Sequence, residues 1–529
     1  MAATAMVAGT LLFSSGTTAS PVTFATLPKC TELKPPSIEG VRILSTVATP
    51  YTDHVYTDPS SGTVSPPLSY CEVNVTLTHD GTDTVLVTTW LPLHPDAWNG
   101  RFQGTGGGGW IAGKFGTVLA PAVQRGYAAA STDAGVGFDE DGKFLLVPPA
   151  HDKIDRTLLE NFGHRSIHEM TLIGKALTRD YYGRKPRSYF TGCSTGGRQA
   201  YMEAQRYPDD YEGVMGNAPA LDWAAFLPAA TAPDNLRNQL GYKGPVCELV
   251  EVRRRAVEAC DALDGLVDGI VSAFDQCHFD ARSVVGASFH CTDTGADMRI
   301  SDQAAQIANL VWSGVRLDDG TRLWWGLNHD ANLTVASGQD DTYSIIGDQW
   351  IYAVERNLTF DVHALRPPQL AAVQRKSIDE FDDVIGTFDP DLSRFRQRGG
   401  KLLTYTGLAD LAVSPNLTLS YYRAVEEHQG GRGGKGAAGL DDFYRVFLAQ
   451  GVEHCVGGLG PLPDDPLSAL VDWVEKGRAP DRLPATTQDS RKLQQPLCKW
   501  PKLPRYDAQG QVECRDDGFA DRFRGLDGR

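Results

Sequence analysis

Apolar and polar positions alternate along VLVTTWLP, Val85 to Pro92, as they do in a half-buried strand. GYAAASTDA, from Gly126 to Ala134, reads as a short buried strand. In RSIHEMTLIGKALTRDYYG the apolar residues Ile167, Met170, Ile173 and Leu177 recur at helical spacing. RSYFTG then predicts a strand, and GGRQAYMEAQRYP a helix that Pro208 ends. YEGVMGNAPAL predicts the next strand. Strand and helix thus alternate from about residue 80 to about residue 220. That alternation predicts an α/β fold with a mainly parallel sheet covered on both faces.

The pattern breaks near residue 220 and resumes near residue 396. RGGKLLTYTGLAD predicts a strand that ends in a turn, and DFYRVFLAQGVEHC a strand that runs into a loop. LSALVDWVEKG, Leu467 to Gly477, is an amphipathic helix. The expected organisation is one catalytic α/β domain, residues 21–220 and 396–529, interrupted by an insert over residues 221–395. An insert that follows the Ser194 region directly is placed to roof it as a lid. The glycine-rich patch QGGRGGKGAAG, Gln429 to Gly439, reads as a flexible loop.

At 529 residues the chain is long for one simple core, which favours two domains or one fold with a large insertion. With a formal net charge of -16 the chain binds nucleic acid or an anionic membrane poorly, so neither is an expected partner. No uncharged apolar run is long enough to span a bilayer. Residues 1–20, MAATAMVAGTLLFSSGTTAS, have the small and apolar character of a signal peptide but lack its basic start. Asn74, Asn332, Asn357 and Asn416 each head an N-x-S/T sequon, and jointly they support secretion of a glycoprotein. The ten cysteines are even in number and include no C-x-x-C pair, so five disulfides are expected.

GCSTGG places Ser194 in a G-x-S-x-G pattern between a predicted strand and a predicted helix. That context marks a nucleophile on a sharp turn, whose flanking glycines let the backbone approach itself. A serine nucleophile needs a base, and the base needs an orienting acid. Six histidines follow Ser194. His454, in the glycine-rich loop GVEHCVGG after a strand, sits where such a base belongs. His278 and His290 lie in the insert, His329 and His363 lack a strand end, and His428 follows a helix. Asp410, at the end of LLTYTGLAD, is placed to orient His454. Taken singly, each could be a turn or loop residue; together the three form a catalytic set.

An oxyanion site needs two backbone N–H groups. The residue after the nucleophile, Thr195, offers one. The second is expected from Gly106–Gly109 in GTGGGGW, with Gly108 chosen among the four. Cys193 precedes Ser194 and Cys455 follows His454. This double adjacency predicts a Cys193–Cys455 bridge that clamps nucleophile to base.

GCSTGGRQAYMEAQRYP, LLTYTGLADLAVSP and FYRVFLAQGVEHCVGGLG resemble the tannase and feruloyl esterase family, described by a CS-D-HC motif. Here that motif is Cys193-Ser194, Asp410 and His454-Cys455, and similarity runs from about Cys30 to Cys514. The resemblance implies an α/β-hydrolase fold with a large inserted lid. It also implies hydrolysis of small aromatic carboxylic esters of plant cell-wall or tannin origin: feruloyl and other hydroxycinnamoyl esters first, galloyl esters as the alternative. A bacterial branch of the family acts on a mono-ester of terephthalic acid. No organic cofactor is implied, and a homodimer is an assembly the sequence permits.

In CDALDGLVDGIVSAFDQC the residues Asp261, Asp264 and Asp268 lie close together without EF-hand spacing. On their own they fit a cation loop or a solvated acidic loop equally. The resemblance implies a structural calcium in the lid, held by these three aspartates and by the carbonyls of Leu266 and Ile270. It also implies a Cys260–Cys277 bridge closing the loop, with Cys30–Cys71 and Cys498–Cys514 elsewhere, which leaves Cys247 for Cys291. The family usually has a short bridge near Cys291, so Cys247 departs from the pattern.

Two other classes fit parts of this reading. A serine carboxypeptidase shares the fold and the order Ser, Asp, His; activity on amides against esters separates it. A non-catalytic binding protein on a hydrolase scaffold has no need of all three residues, and organophosphate labelling of Ser194 separates it.

Overall fold

The computed structural model describes residues 29–518 apart from 60, 138–141, 337–341, 431–436 and 508. The signal-peptide expectation for residues 1–20 lies outside the described residues, as does most of the glycine-rich patch.

Nine strands make the central sheet: β1 (Arg42–His54), β2 (Leu68–Thr78), β3 (Val85–Pro92), β4 (Arg101–Thr105), β5 (Ala128–Thr132), β6 (Arg187–Cys193), β7 (Gly213–Asn217), β8 (Lys401–Gly407) and β9 (Tyr444–Ala449). Their spatial order is β1-β2-β3-β5-β4-β6-β7-β8-β9. From β5 through β9 every pairing is parallel. β1, β2 and β3 join antiparallel, and β3 pairs antiparallel with β5. The sheet is therefore mixed, with an antiparallel flank at its N-terminal side. The sequence pattern did not reveal β1, because an edge strand with one pairing partner is exposed along most of its length and shows no clean alternation. β3 is buried almost throughout rather than alternately, since both of its edges are paired and both of its faces are covered.

Consecutive residues on the parallel strands feed opposite faces. Phe190, Val214 and Leu402 pack into one core. Their neighbours Tyr189, Met215 and Leu403 pack into the other. The first face is covered by helices Ser166–Tyr182 and Thr195–Arg206, which bring in Met170, Ile173, Leu177 and Tyr201. The second is covered by Gly116–Gln124 and Pro466–Lys476 through Leu119, Val123, Leu470 and Trp473. The helix Thr195–Arg206 stops two residues before Pro208, whose ring disfavours helical geometry at the residue before it.

The segment between β7 and β8 carries helices Trp223–Ala230, Ala232–Leu240, Val246–Cys260, Asp302–Ser313, Thr342–Glu355 and Pro367–Phe381. Its apolar residues continue the core of the first sheet face without a break. An aromatic group joins the two parts: Trp110 lies 5.3 Å from Trp223 and 6.2 Å from Trp350, ring to ring, and Trp350 packs on Phe381. Trp350 also donates from Nε1 to Ser377 Oγ at 2.7 Å, which satisfies its buried polar atom.

Five disulfides link Cys30–Cys71, Cys193–Cys455, Cys247–Cys291, Cys260–Cys277 and Cys498–Cys514. No cysteine among the described residues is free. Among these residues no helix is long and apolar enough to cross a membrane.

Candidate active site

Ser194 stands between β6 and the helix Thr195–Arg206 with φ 64° and ψ -124°. A non-glycine residue in this region is strained, and here the surroundings fix it. Its N–H donates to Asn217 O at 3.1 Å, and its carbonyl accepts from Arg198 N and Ala220 N. The glycines around it are needed for space. A Cβ on Gly192 would stand 2.2 Å from Gly196 O, and one on Gly197 would stand 2.4 Å from Asn217 O.

Asp410 lies just past β8 and is fully buried. Its Oδ1 accepts from the amides of Ala412 and Val413 at 2.8 and 2.9 Å. Its Oδ2 lies 2.8 Å from His454 Nδ1, just past β9. Since a carboxylate only accepts, Nδ1 carries the proton and Nε2 presents a lone pair. The Cys193–Cys455 bridge holds the two loops with Cα atoms 5.9 Å apart. Tyr405 Oη donates to Cys455 O at 3.1 Å and fixes the His454 loop from below. The structure thus brings Asp410 to His454 directly, and the bridge ties the His454 loop to the Ser194 turn.

The glycine stretch after β4 is a tight hairpin. Gly108 and Ile111 exchange N–H···O bonds of 2.9 Å in both directions, leaving Gly109 and Trp110 at the tip. Gly109 has φ +55°, a conformation that favours glycine. The hairpin is fastened to the helix after Ser194. Gly196 N–H donates to Gly107 O at 3.2 Å, and Thr195 Oγ1 donates to Gly109 O at 2.7 Å. Gly106 N–H goes to Thr191 O and Gly107 N–H to Gln199 Oε1. The expectation of Gly108 as an oxyanion donor is therefore corrected: its amide is already engaged by Ile111 O. Among these four glycines, the amide without an acceptor among the described residues is that of Gly109. Thr195, the first residue of its helix, likewise has an N–H with no acceptor there.

Two cavities flank this machinery. The smaller, about 350 Å³, touches Ala409 and Glu453, the neighbours of Asp410 and His454, and also Gly269 and Ile270. The larger, about 770 Å³, lies further along the helix after Ser194, at Met202, Gln205 and Arg206, and includes none of Ser194, Asp410 and His454. Trp324 and Trp325 of the insert line its wall.

The acidic loop is closed by Cys260–Cys277. Asp261 takes the amides of Asp268 and Gly269, and Asp264 those of Leu266 and Ser272. Burial, with the charges of Asp264 and Asp261, pushes Asp268 up to about 6. The carbonyls of Leu266 and Ile270 accept no hydrogen bond among the described residues, although Ile270 is buried. Hard carboxylates beside orphaned carbonyls are the donor set calcium takes. Asp261, Asp264 and Asp268 do not form a close-set group of ligand atoms. The one tighter group among the described residues, Cys247, Cys291 and Asp293, has its two sulfurs bonded to each other.

Gln199 and Asn217 carry no sequence signal, and Gly109 is only one of the four glycines, Gly106–Gly109, that the sequence offers for the second oxyanion amide. Their roles depend on which amide or carbonyl faces them, and no spacing rule encodes that.

A family model described as "Tannase and feruloyl esterase" matches residues 71–520. The chain is 38% identical over 511 residues to a "Probable feruloyl esterase" from Arthroderma benhamiae, covering 92% of this chain and 94% of that protein. It is 27% identical over 503 residues to a "Tannase" from Aspergillus oryzae, covering 85% of each. Among solved structures, a tannin acyl hydrolase from Aspergillus niger superposes with a TM-score of 0.83 at 27% identity, covering 94% of both chains. Feruloyl esterase B from Aspergillus oryzae superposes with 0.76 at 25% identity, covering 90% of this chain and 97% of that one.

Proposed function

The chain belongs to the tannase and feruloyl esterase family and is a carboxylic ester hydrolase, and from that premise we propose that it cleaves feruloyl and other hydroxycinnamoyl esters through an acyl-enzyme on Ser194. The observation that carries the mechanism is the 2.8 Å contact of His454 Nδ1 with Asp410 Oδ2, on a loop bonded through Cys455 to the residue before Ser194.

Ser194 Oγ attacks the ester carbonyl while His454 Nε2 takes its proton. Asp410 holds the imidazole in the required tautomer and stabilises the imidazolium. The two Asp410 contacts from Ala412 and Val413 keep the carboxylate aimed at Nδ1. The amides of Thr195 and Gly109 receive the oxyanion. His454 then protonates the leaving alkoxide. A water deprotonated by His454 attacks the acyl-enzyme and releases the aromatic acid.

The feruloyl preference is supported by the 38% identity to a feruloyl esterase relative against 27% to a tannase relative. The galloyl reading is supported by the fold likeness to a tannin acyl hydrolase. A panel of methyl ferulate, methyl caffeate, methyl gallate and a terephthalate mono-ester, ranked by kcat/KM, tests the choice. Ferulate and caffeate leading supports the proposal; gallate leading overturns it.

The loop Asp261–Ile270 would hold one calcium through Asp261, Asp264 and Asp268 and the carbonyls of Leu266 and Ile270. Bound there, the ion supplies charge neutralisation and cross-linking of the loop, and no chemistry at the ester. Secretion is supported by the five disulfides, which persist in an oxidising compartment.

A further inference from the structure

Gln199 is fully buried one turn into the helix that Ser194 starts. Its carboxamide spans the base of the glycine hairpin. Oε1 accepts from Gly107 N at 3.0 Å, and Nε2 donates to Ala112 O at 3.0 Å. The two contacted residues lie on opposite arms, outside the Gly108–Ile111 pair. A Cβ on Gly106 would stand 2.7 Å from Oε1, and one on Gly107 would stand 1.9 Å from Ile111 O. Neither position has room for a side chain, so the carboxamide reaches both arms only because residues 106 and 107 are glycine. Thr195 Oγ1 grips the tip of the same hairpin at Gly109 O.

We infer that Gln199 is a positioning residue for catalysis: by clamping both arms of the 106–112 hairpin to the nucleophile helix, it sets the Gly109 amide against the oxyanion. This rests on the reading of Ser194 as nucleophile and Gly109 as donor. One side chain that both accepts and donates fixes the separation and the tilt of the arms together. Ser194 and the hairpin then ride on one helix, so the distance from nucleophile to oxyanion donor is set inside a single rigid unit. Such a clamp matters for the tetrahedral intermediate, where charge sits on the oxygen, more than for the bound ester, where little charge has developed.

The test compares the full chain with Gln199→Met, which keeps the volume and removes both hydrogen bonds. Labelling of Ser194 by an aryl phosphonate ester comes first; a wild-type protein that is not labelled removes the underlying reading, and the proposal with it. With labelling established, kcat in Gln199→Met should fall about 10- to 100-fold while KM for methyl ferulate stays within about 2-fold. Affinity for an aryl boronic acid, which mimics the tetrahedral state, should fall in step with kcat. Affinity for ferulic acid should not. A kcat within about 2-fold of wild type overturns the role of Gln199 while leaving Ser194 in place. Equal losses for boronic and ferulic acids overturn it too, since they mean general damage. Should Gln199→Met not fold, Gln199→Leu carries the test: it is also apolar and of similar size, it removes both hydrogen bonds, and full kcat there also overturns the proposal.

Discussion

Cys193 and Cys455 are joined with their Cα atoms 5.9 Å apart, so Ser194 and His454 each stand one residue from the same covalent bridge. The bridge closes a loop with a sequence separation of 262 residues. On a chain-entropy account a loop of that size is worth about 5 kcal/mol. Its position has a second effect: the loops that carry Ser194 and His454, the proposed nucleophile and base, are held together. Cys193→Ala/Cys455→Ala should therefore lower kcat on methyl ferulate at least about 10-fold, with near-UV circular dichroism retained through the other four bridges. Unchanged kcat in the double variant would show that packing alone holds the two loops.

Ser194→Ala should abolish turnover and leave the fold intact. Asp410→Asn should lower kcat by about 10³- to 10⁴-fold, because an amide at that position cannot accept from the Ala412 and Val413 amides and also fix the His454 tautomer as a carboxylate does. Steady-state rates with urea denaturation of each variant separate chemistry from stability. Substantial activity in Ser194→Ala would remove the acyl-enzyme mechanism.

His79 lies between Asp83 and Glu169, with Nδ1 facing Asp83 and Nε2 2.9 Å from Glu169, all three largely buried. Burial alone would lower the imidazole, but hydrogen bonds to Glu169 and Asp83 outweigh it and raise it. Burial likewise works against the Asp83 carboxylate, yet bonds from His79, Asn161 and Thr78 hold it well below the usual range. A raised imidazole stabilises the fold fully below about pH 6.5, and the contribution fades as pH rises through the folded value. His79→Gln should thus lower Tm most at pH 5–6 and progressively less above pH 6.5. A melting-temperature deficit that grows toward alkaline pH would contradict this linkage.

Chelation tests the acidic loop. EGTA should lower Tm by about 3–10 °C, and added calcium should restore it. Asp264→Asn should abolish that response. Elemental analysis of the purified protein should find about one calcium per chain, and none would count against the site.

Much of this protein was readable along the chain. The strands β5 to β9 announced themselves through short apolar runs between turn residues, and the helix Ser166–Tyr182 through Ile167, Met170, Ile173 and Leu177. These signals are local, because one buried face imposes its own period on a segment. β1 escaped because a largely exposed edge strand has no such period. The continuity of the insert with the main core, through Trp110, Trp223 and Trp350, was also hidden, since those residues are far apart in sequence and meet only in space.

Read along the chain, the candidates for the chemistry are plain: Ser194 between its glycines, Asp410 and His454 at strand ends, and cysteines beside two of them. Residue type and order suffice there, because a nucleophile turn restricts its own neighbours. Which backbone amides stay without an acceptor among the described residues is settled in three dimensions. Gly108 and Gly109 are the same residue type and adjacent in sequence, yet among the described residues one amide is held by Ile111 O and the other has no acceptor. Hydrogen-bond partnership is a property of the folded neighbourhood, and it picked out Gly109 and Gln199 where four consecutive glycines look alike.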